Sequence, residues 1–149
     1  NTQVKNDSGT PKYKVLCNID SSKYKAPEDS SSKVILMDER KKHIKENHPE
    51  AVDIIVKNLP SILTDPDAVY IENGKENTRW VVKQLDEHNV KITLKLSTGD
   101  ANKFHSIITG QFMRPKQIEK AENKGRITKI YFKENQEYTV SEEKPKVEE

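Results

Sequence analysis

The sequence predicts an α+β fold in which helices from the N-terminal half pack on a four- to five-stranded antiparallel sheet. Two observations carry that expectation. Between Ala51 and Leu59 apolar residues recur at helical spacing, and from Ala68 onward the period shortens to two. A third supports it: the strand-length runs are separated by short, turn-rich connections, which join neighbours antiparallel.

Taken in order, Tyr13 to Ile19 is suited to an added edge strand, and Ser21 to Lys33 is a Ser-, Lys- and Pro-rich connector. Val34 to Met37 is a short apolar strand. Asp38 is placed to cap a helix that runs to Asn47, because its carboxylate can accept from free N–H groups of the first turn. His48 precedes Pro49 and is biased out of helical geometry, so the helix stops there. Pro49 suits the first position of a second helix, which carries Ala51, Val52, Ile55 and Leu59 on one stripe and is expected to end at Pro60 and the Asp65-Pro66-Asp67 turn. Four strands follow, at Ala68 to Glu72, Thr78 to Leu85, Val90 to Leu96 and Phe104 to Thr109. They are separated by Asn73-Gly74, by Asp86 to Asn89 and by Ser97 to Lys103. A last helix from Pro115 to Lys124, stopped by Gly125, leads into a strand from Arg126 to Lys133.

Composition limits how much of the chain can pack. Of 149 residues, 32% are hydrophobic and 34% charged, and the apolar ones concentrate between Val34 and Phe132. The expected organisation is a polar, partly disordered segment 1–33, one domain at 34–133 and a polar acidic tail at 134–149. Net charge is +2, and the segment from Ser141 holds four Glu and two Lys, which leaves +4 on the rest. That balance permits nucleic-acid binding without demanding it. The lone Cys17 excludes an intramolecular disulfide and any multi-thiolate metal site. No apolar run is long enough to span a membrane, and the N-terminus lacks a signal-peptide layout. Beginning on Asn, the chain fits a processed product, an excised portion of a longer protein or a trimmed chain.

Chemistry is best placed in two regions. His43 and His48 lie in a cationic segment with Lys41 and Lys45, and imidazoles titrating near neutral pH could form an acid/base pair. Five residues along a helix set side chains about 140° apart, so the two share a face only if the helix ends and turns back at Pro49. In the strand Val90 to Leu96, the even positions are apolar, which puts Lys91, Thr93 and Lys95 on the other face. Arg79 and Lys83 join that face if Trp80 and Val82 point inward, as do His105 and Thr109 if Phe104 and Ile108 do. Such a face suits phosphate contacts, whereas its bland reading is an ordinary polar sheet exterior.

The order of apolar strand, His-Ile-x-x-x-His-Pro, amphipathic helix, Leu-Pro-x-Ile-Leu-x-Asp-Pro-Asp-x-Val-Tyr, Arg-Trp-Val-Val-Lys strand and Ser-Ile-Ile-Thr resembles the phage-associated branch of the barnase, EndoU, colicin and RelE-like (BECR) nuclease superfamily. The resemblance covers roughly Val34 to Thr109. It implies a helical N-terminal half on a four-stranded antiparallel sheet and a metal-independent endoribonuclease of the toxin type, with tRNA as the favoured substrate. It points to His43, His48, Arg79, Lys83 and Thr109 as site residues.

On this reading a histidine or other base takes the ribose 2′-hydroxyl proton, Arg79 and lysines stabilise the phosphoryl oxygens, and a second acid protonates the leaving oxygen. His105 is a further catalytic candidate, and Lys41, Lys45, Lys91, Thr93 and Lys95 are candidate RNA contacts. No metal or other cofactor is expected, because His43 with Glu46 and Asp65 with Asp67 do not supply convergent ligands. The expected partners are RNA and a cognate inhibitor, or immunity protein, that would cover the basic face with acidic side chains. The chain itself is expected to be a monomer acting in the cytoplasm, either secreted or delivered as part of a larger protein. The alternative is a non-catalytic module that binds RNA or an acidic protein through the same face.

Overall fold

The computed structural model describes residues 12–98 and 103–133. The chain runs β1 (Tyr13–Asn18), α1 (Ser21–Tyr24), β2 (Lys33–Met37), α2 (Asp38–Asn47), α3 (Val52–Thr64), β3 (Ala68–Glu72), β4 (Thr78–Leu85), β5 (His88–Lys95), β6 (His105–Phe112), α4 (Pro115–Asn123) and β7 (Ile127–Phe132). The α+β class stands. Residues 1–11 of the expected polar segment 1–33, the expected tail at 134–149 and residues 99–102 of the Ser97 to Lys103 turn lie outside the described residues.

All the strands among the described residues join one sheet in the order β1-β2-β6-β5-β4-β3-β7. The consecutive strands β3 to β6 form the expected meander, while β2 pairs with β6 in parallel, through Val34 with His105 and Ile35 with Ser106. The expectation of four to five antiparallel strands is therefore corrected to a seven-stranded mixed sheet. Short strands at the front of the chain find a partner far along the sequence, and a local pattern carries no sign of that pairing. Nor do helices come first, since β1 precedes α1, and β2 separates α1 from α2.

The sheet is covered on both faces. On the first, Ile44 of α2 and Ile55, Leu59, Ile62 and Leu63 of α3 pack with Val69, Val81, Val90, Ile92, Leu94 and Ile107 in one core cluster. Each fully buried Leu or Ile there contributes about 1.5–3 kcal/mol. On the second face, Ile118 and Ala121 of α4 pack with Ala68, Tyr70, Val82 and Ile127, flanked by Trp80 and Met113. Ile19 and Tyr24 belong to the first cluster, so the packed body begins well before Val34. The Tyr24 hydroxyl donates to the Leu63 carbonyl at 2.5 Å, tying the supposed connector to α3.

Local chemistry explains where the helices depart from expectation. Asp38 is not the cap of α2: extended Met37 is, and Asp38 sits with Glu39 in the first turn, where the helix dipole favours negative charge. Residues Pro49 to Ala51 form a turn, and α3 starts at Val52. Pro60 does not end α3, which continues to Thr64. Proline removes one backbone bond, but it is exposed, and the following turn buries Ile62 and Leu63. Among the described residues no helix is long and apolar enough to cross a membrane.

Candidate nucleic-acid interface

Strand register decides which side chains meet. Arg79 lies opposite Leu94, Val81 opposite Ile92 and Lys83 opposite Val90, so Arg79 and Lys83 rise from the first, helix-covered face. Trp80 lies opposite Thr93 and Val82 opposite Lys91, which puts these on the second face. The sequence grouping of Arg79 and Lys83 with Lys91, Thr93 and Lys95 is corrected accordingly. Trp80 and Val82 do point inward, but into a second core beneath α4.

Arg79 is 5% exposed, and every partner it has is a main-chain carbonyl. Its Nε donates to Tyr24 at 2.8 Å, Nη1 to Glu76 at 2.6 Å and Thr78 at 3.3 Å, and Nη2 to Lys25 at 3.5 Å. Desolvation lowers its pKa, opposed by the nearby Glu76 charge. It pins α1 to the sheet. Lys83 donates to the Asp65 carbonyl at 2.6 Å and approaches the carboxylates of Asp65 and Asp67 at 3.3 and 4.0 Å. Lys133 completes that cluster at 2.9 Å from Asp65 and, with Lys83, lowers the Asp65 pKa. Neither Arg79 nor Lys83 is free for phosphate.

Among the described residues no hydrogen bond joins one histidine to another. His105 is fully buried, its Nδ1 accepting from the Ser97 N–H at 2.9 Å, while Nε2 is buried without a well-formed hydrogen bond. Desolvation lowers its pKa, the Ser31 main chain opposing, so burial disfavours the charged imidazolium. His43 lies on α2, with its Nδ1 3.3 Å from Asn47 Nδ2. His48 ends that helix, its N–H donating to Ile44 at 2.7 Å. No hydrogen bond links His43 to His48. Lys41 and Lys45 line a cleft between α2 and α3 of about 920 Å³, but Asp38, Glu46 and Asp53 line it too, which offsets the positive charge. Cys17 is half-buried, and burial pushes its thiol up to about 11, which disfavours the thiolate.

The second face is different. Lys91, only 6% exposed, donates to Thr93 Oγ1 at 3.0 Å, and its Nζ sits 4.3 Å from the centroid of the Trp80 ring. Desolvation brings its amine down to about 8, the Glu72 carboxylate opposing. The Trp80 Nε1 donates to that same Glu72 at 2.9 Å. Thr109 lies opposite Thr93, with its hydroxyl oxygen buried and unpartnered. An irregularity in β6 around Ile108 sets Thr109 on this face although His105 and Ile107 lie on the other. Of the sequence candidates, Lys91, Thr93 and Thr109 are brought together, and Lys95, exposed, stands farther along β5 on the same face.

Beside this cluster opens a cleft of about 490 Å³, between β4 and α4, that sequence reasoning missed. Trp80 and Met113 line it together with Arg114, Lys116, Lys120, Lys124 and Arg126, and no acidic residue does. All five cations are exposed, and none has an ion-pair partner among the described residues. Lys116, Lys120 and Lys124 recur every fourth residue, which aligns them along one side of α4, while Ile118 and Ala121 are buried on the other. That spacing was the available signal. Cations near a helix C-terminus also suit its dipole, but that would not place Arg114 and Lys116 at the start. Comparisons of the chain with family models, curated proteins and solved structures find no match.

Proposed function

We propose that this protein binds RNA along the cleft between β4 and α4. The observation that supports the reading is a run of five exposed cations without a lining acid, set beside an indole. Unpaired lysine and arginine neutralise phosphate and release its counterions, which gives affinity that falls steeply with salt. Exchanging Lys116 and Lys120 together for Gln removes two such charges without touching a buried side chain. Log affinity for tRNA against log salt should then flatten by about 1.4 to 1.8 units, from roughly 0.7 to 0.9 per lost phosphate contact. Salt-independent binding, or an unchanged slope in the variant, would overturn the reading.

Cleavage is a second reading, supported by one observation: Lys91, with its amine at about 8, lies within hydrogen-bond reach of Thr93. An amine in that range can exchange a proton near neutral pH. Incubation with tRNA distinguishes the two. Discrete fragments that disappear in Lys91→Met while binding persists favour an endoribonuclease. A shift in migration with intact RNA favours the binding module.

A further inference from the structure

Trp80 is the chain's sole tryptophan, and its surroundings hold it in place. Its Nε1 is bonded to Glu72, the Lys91 ammonium stands over its ring, and its apolar edge packs with the cluster beneath α4. It is nevertheless only half-buried, and its remaining surface lines the cationic cleft. An aromatic ring already ordered loses little entropy when a ligand packs on it.

From this we infer that the cleft takes single-stranded RNA, with an unpaired base packed against Trp80 and the neighbouring phosphates held by the cations of α4. The inference rests on the RNA-binding reading and names its ligand. A duplex keeps its base faces stacked inside, so an indole at the floor of a phosphate-binding cleft is of use only to a base out of the stack. Lys116, Lys120 and Lys124 are stepped along α4 at about 6 Å, from 1.5 Å per residue, so they track a strand along the helix beside the ring. An acidic protein segment would match the charge equally well. It would gain nothing distinctive from the indole.

The lone tryptophan makes its own reporter. Titrating the intact protein with oligouridine of about a dozen nucleotides, within the site sizes usual for such clefts, should quench Trp80 emission with the same midpoint as binding measured by anisotropy. Duplex RNA of equal length should bind more weakly and leave the emission unchanged. Trp80→Leu should weaken oligouridine binding about 5- to 160-fold while leaving the salt slope intact, and Trp80→Phe should restore most of the affinity.

Unchanged emission on saturation with oligouridine overturns the inference using the unaltered protein, so a folding defect in either variant cannot mask the answer. Salt-dependent binding without quenching, or equal affinity for duplex, overturns the single-strand inference and leaves RNA binding standing. Absence of salt-dependent binding to any RNA overturns both, as does tighter binding of polyglutamate than of either RNA.

Discussion

Two buried cations show how the same charge is handled differently. Arg79 satisfies its guanidinium with four carbonyls. Lys91 has one hydroxyl and one ring face, and burial brings its amine down from 10.5 to about 8. The folded value lies below the unfolded one, so between about pH 8 and 10.5 the unfolded chain binds more protons, and stability rises with pH across that window. Below about pH 8 the penalty is present in full. Its size is about 3.5 kcal/mol, at about 1.4 kcal/mol per pKa unit, and the Trp80 ring offsets part of it. Lys91→Met should therefore gain stability over the wild type at pH 7 and lose that advantage by pH 10.5, as read from urea unfolding. Cys17 and Tyr70 titrate higher, at about 11 and 12, and affect both proteins alike. Parallel pH profiles would refute the buried-charge assignment. Alternation in the sequence was enough to put Lys91 and Thr93 on one face. It failed for Arg79 and Lys83, because Trp80, Val81 and Val82 are apolar at both parities and only the register with β5 separates the faces.

At the scale of elements, α3 and β6 meet through a missing side chain. A Cβ on Gly110 would come within 2.8 Å of Ile92 Cδ1 and 3.2 Å of Ile55 Cγ2, so glycine here permits the close approach of helix to sheet. Gly110→Ala should destabilise the protein by about 1–3 kcal/mol, the usual cost of overpacking. Adding Ile92→Val should recover part of that, since it removes the nearest methyl; additive losses in urea midpoints would argue against this contact. Nothing in the local sequence distinguishes Gly110 from a turn glycine, because the reason for it lies on another strand and another helix. Strand limits, by contrast, were legible. Every run of β3 to β7 falls within a few residues of its expected position, since period two and the turn at Gly74, φ 89°, are both local signals. The helix α4 was legible as well, yet its line of lysines became a site only once β4 was seen to supply Trp80 across the cleft.

Over the whole molecule, the sheet combines a locally connected meander with a front pair, β1 and β2, attached through long-range contacts. The parallel ladder between β2 and β6 has two residue pairs. Further ties include the Tyr24 hydroxyl on Leu63, the Arg79 guanidinium on the carbonyls of Tyr24 and Lys25, and the Lys23 ammonium over the Tyr131 ring. Polar composition made this front segment read as connector and tail. A few deeply buried residues, Ile19, Tyr24 and Val34, give it a place in the core. Regions held by few contacts open at lower free energy than the body they rest on, so β1, α1 and β2 should exchange amide hydrogens before β4 and β5. Arg79→Met should widen that gap. It leaves the Tyr24 and Glu76 carbonyls without their donor, at a cost of about 1–3 kcal/mol for each carbonyl left buried without a partner. Native-state hydrogen exchange should then show protection falling across residues 13–37 by that amount, with smaller changes at Ile92 and Leu94, and with affinity for RNA unaltered. Arg79 is buried on the first face and the cationic cleft opens on the second, so a loss of RNA affinity equal to the loss of protection would mean that the two faces are coupled and that Arg79 does more than anchor the front of the sheet.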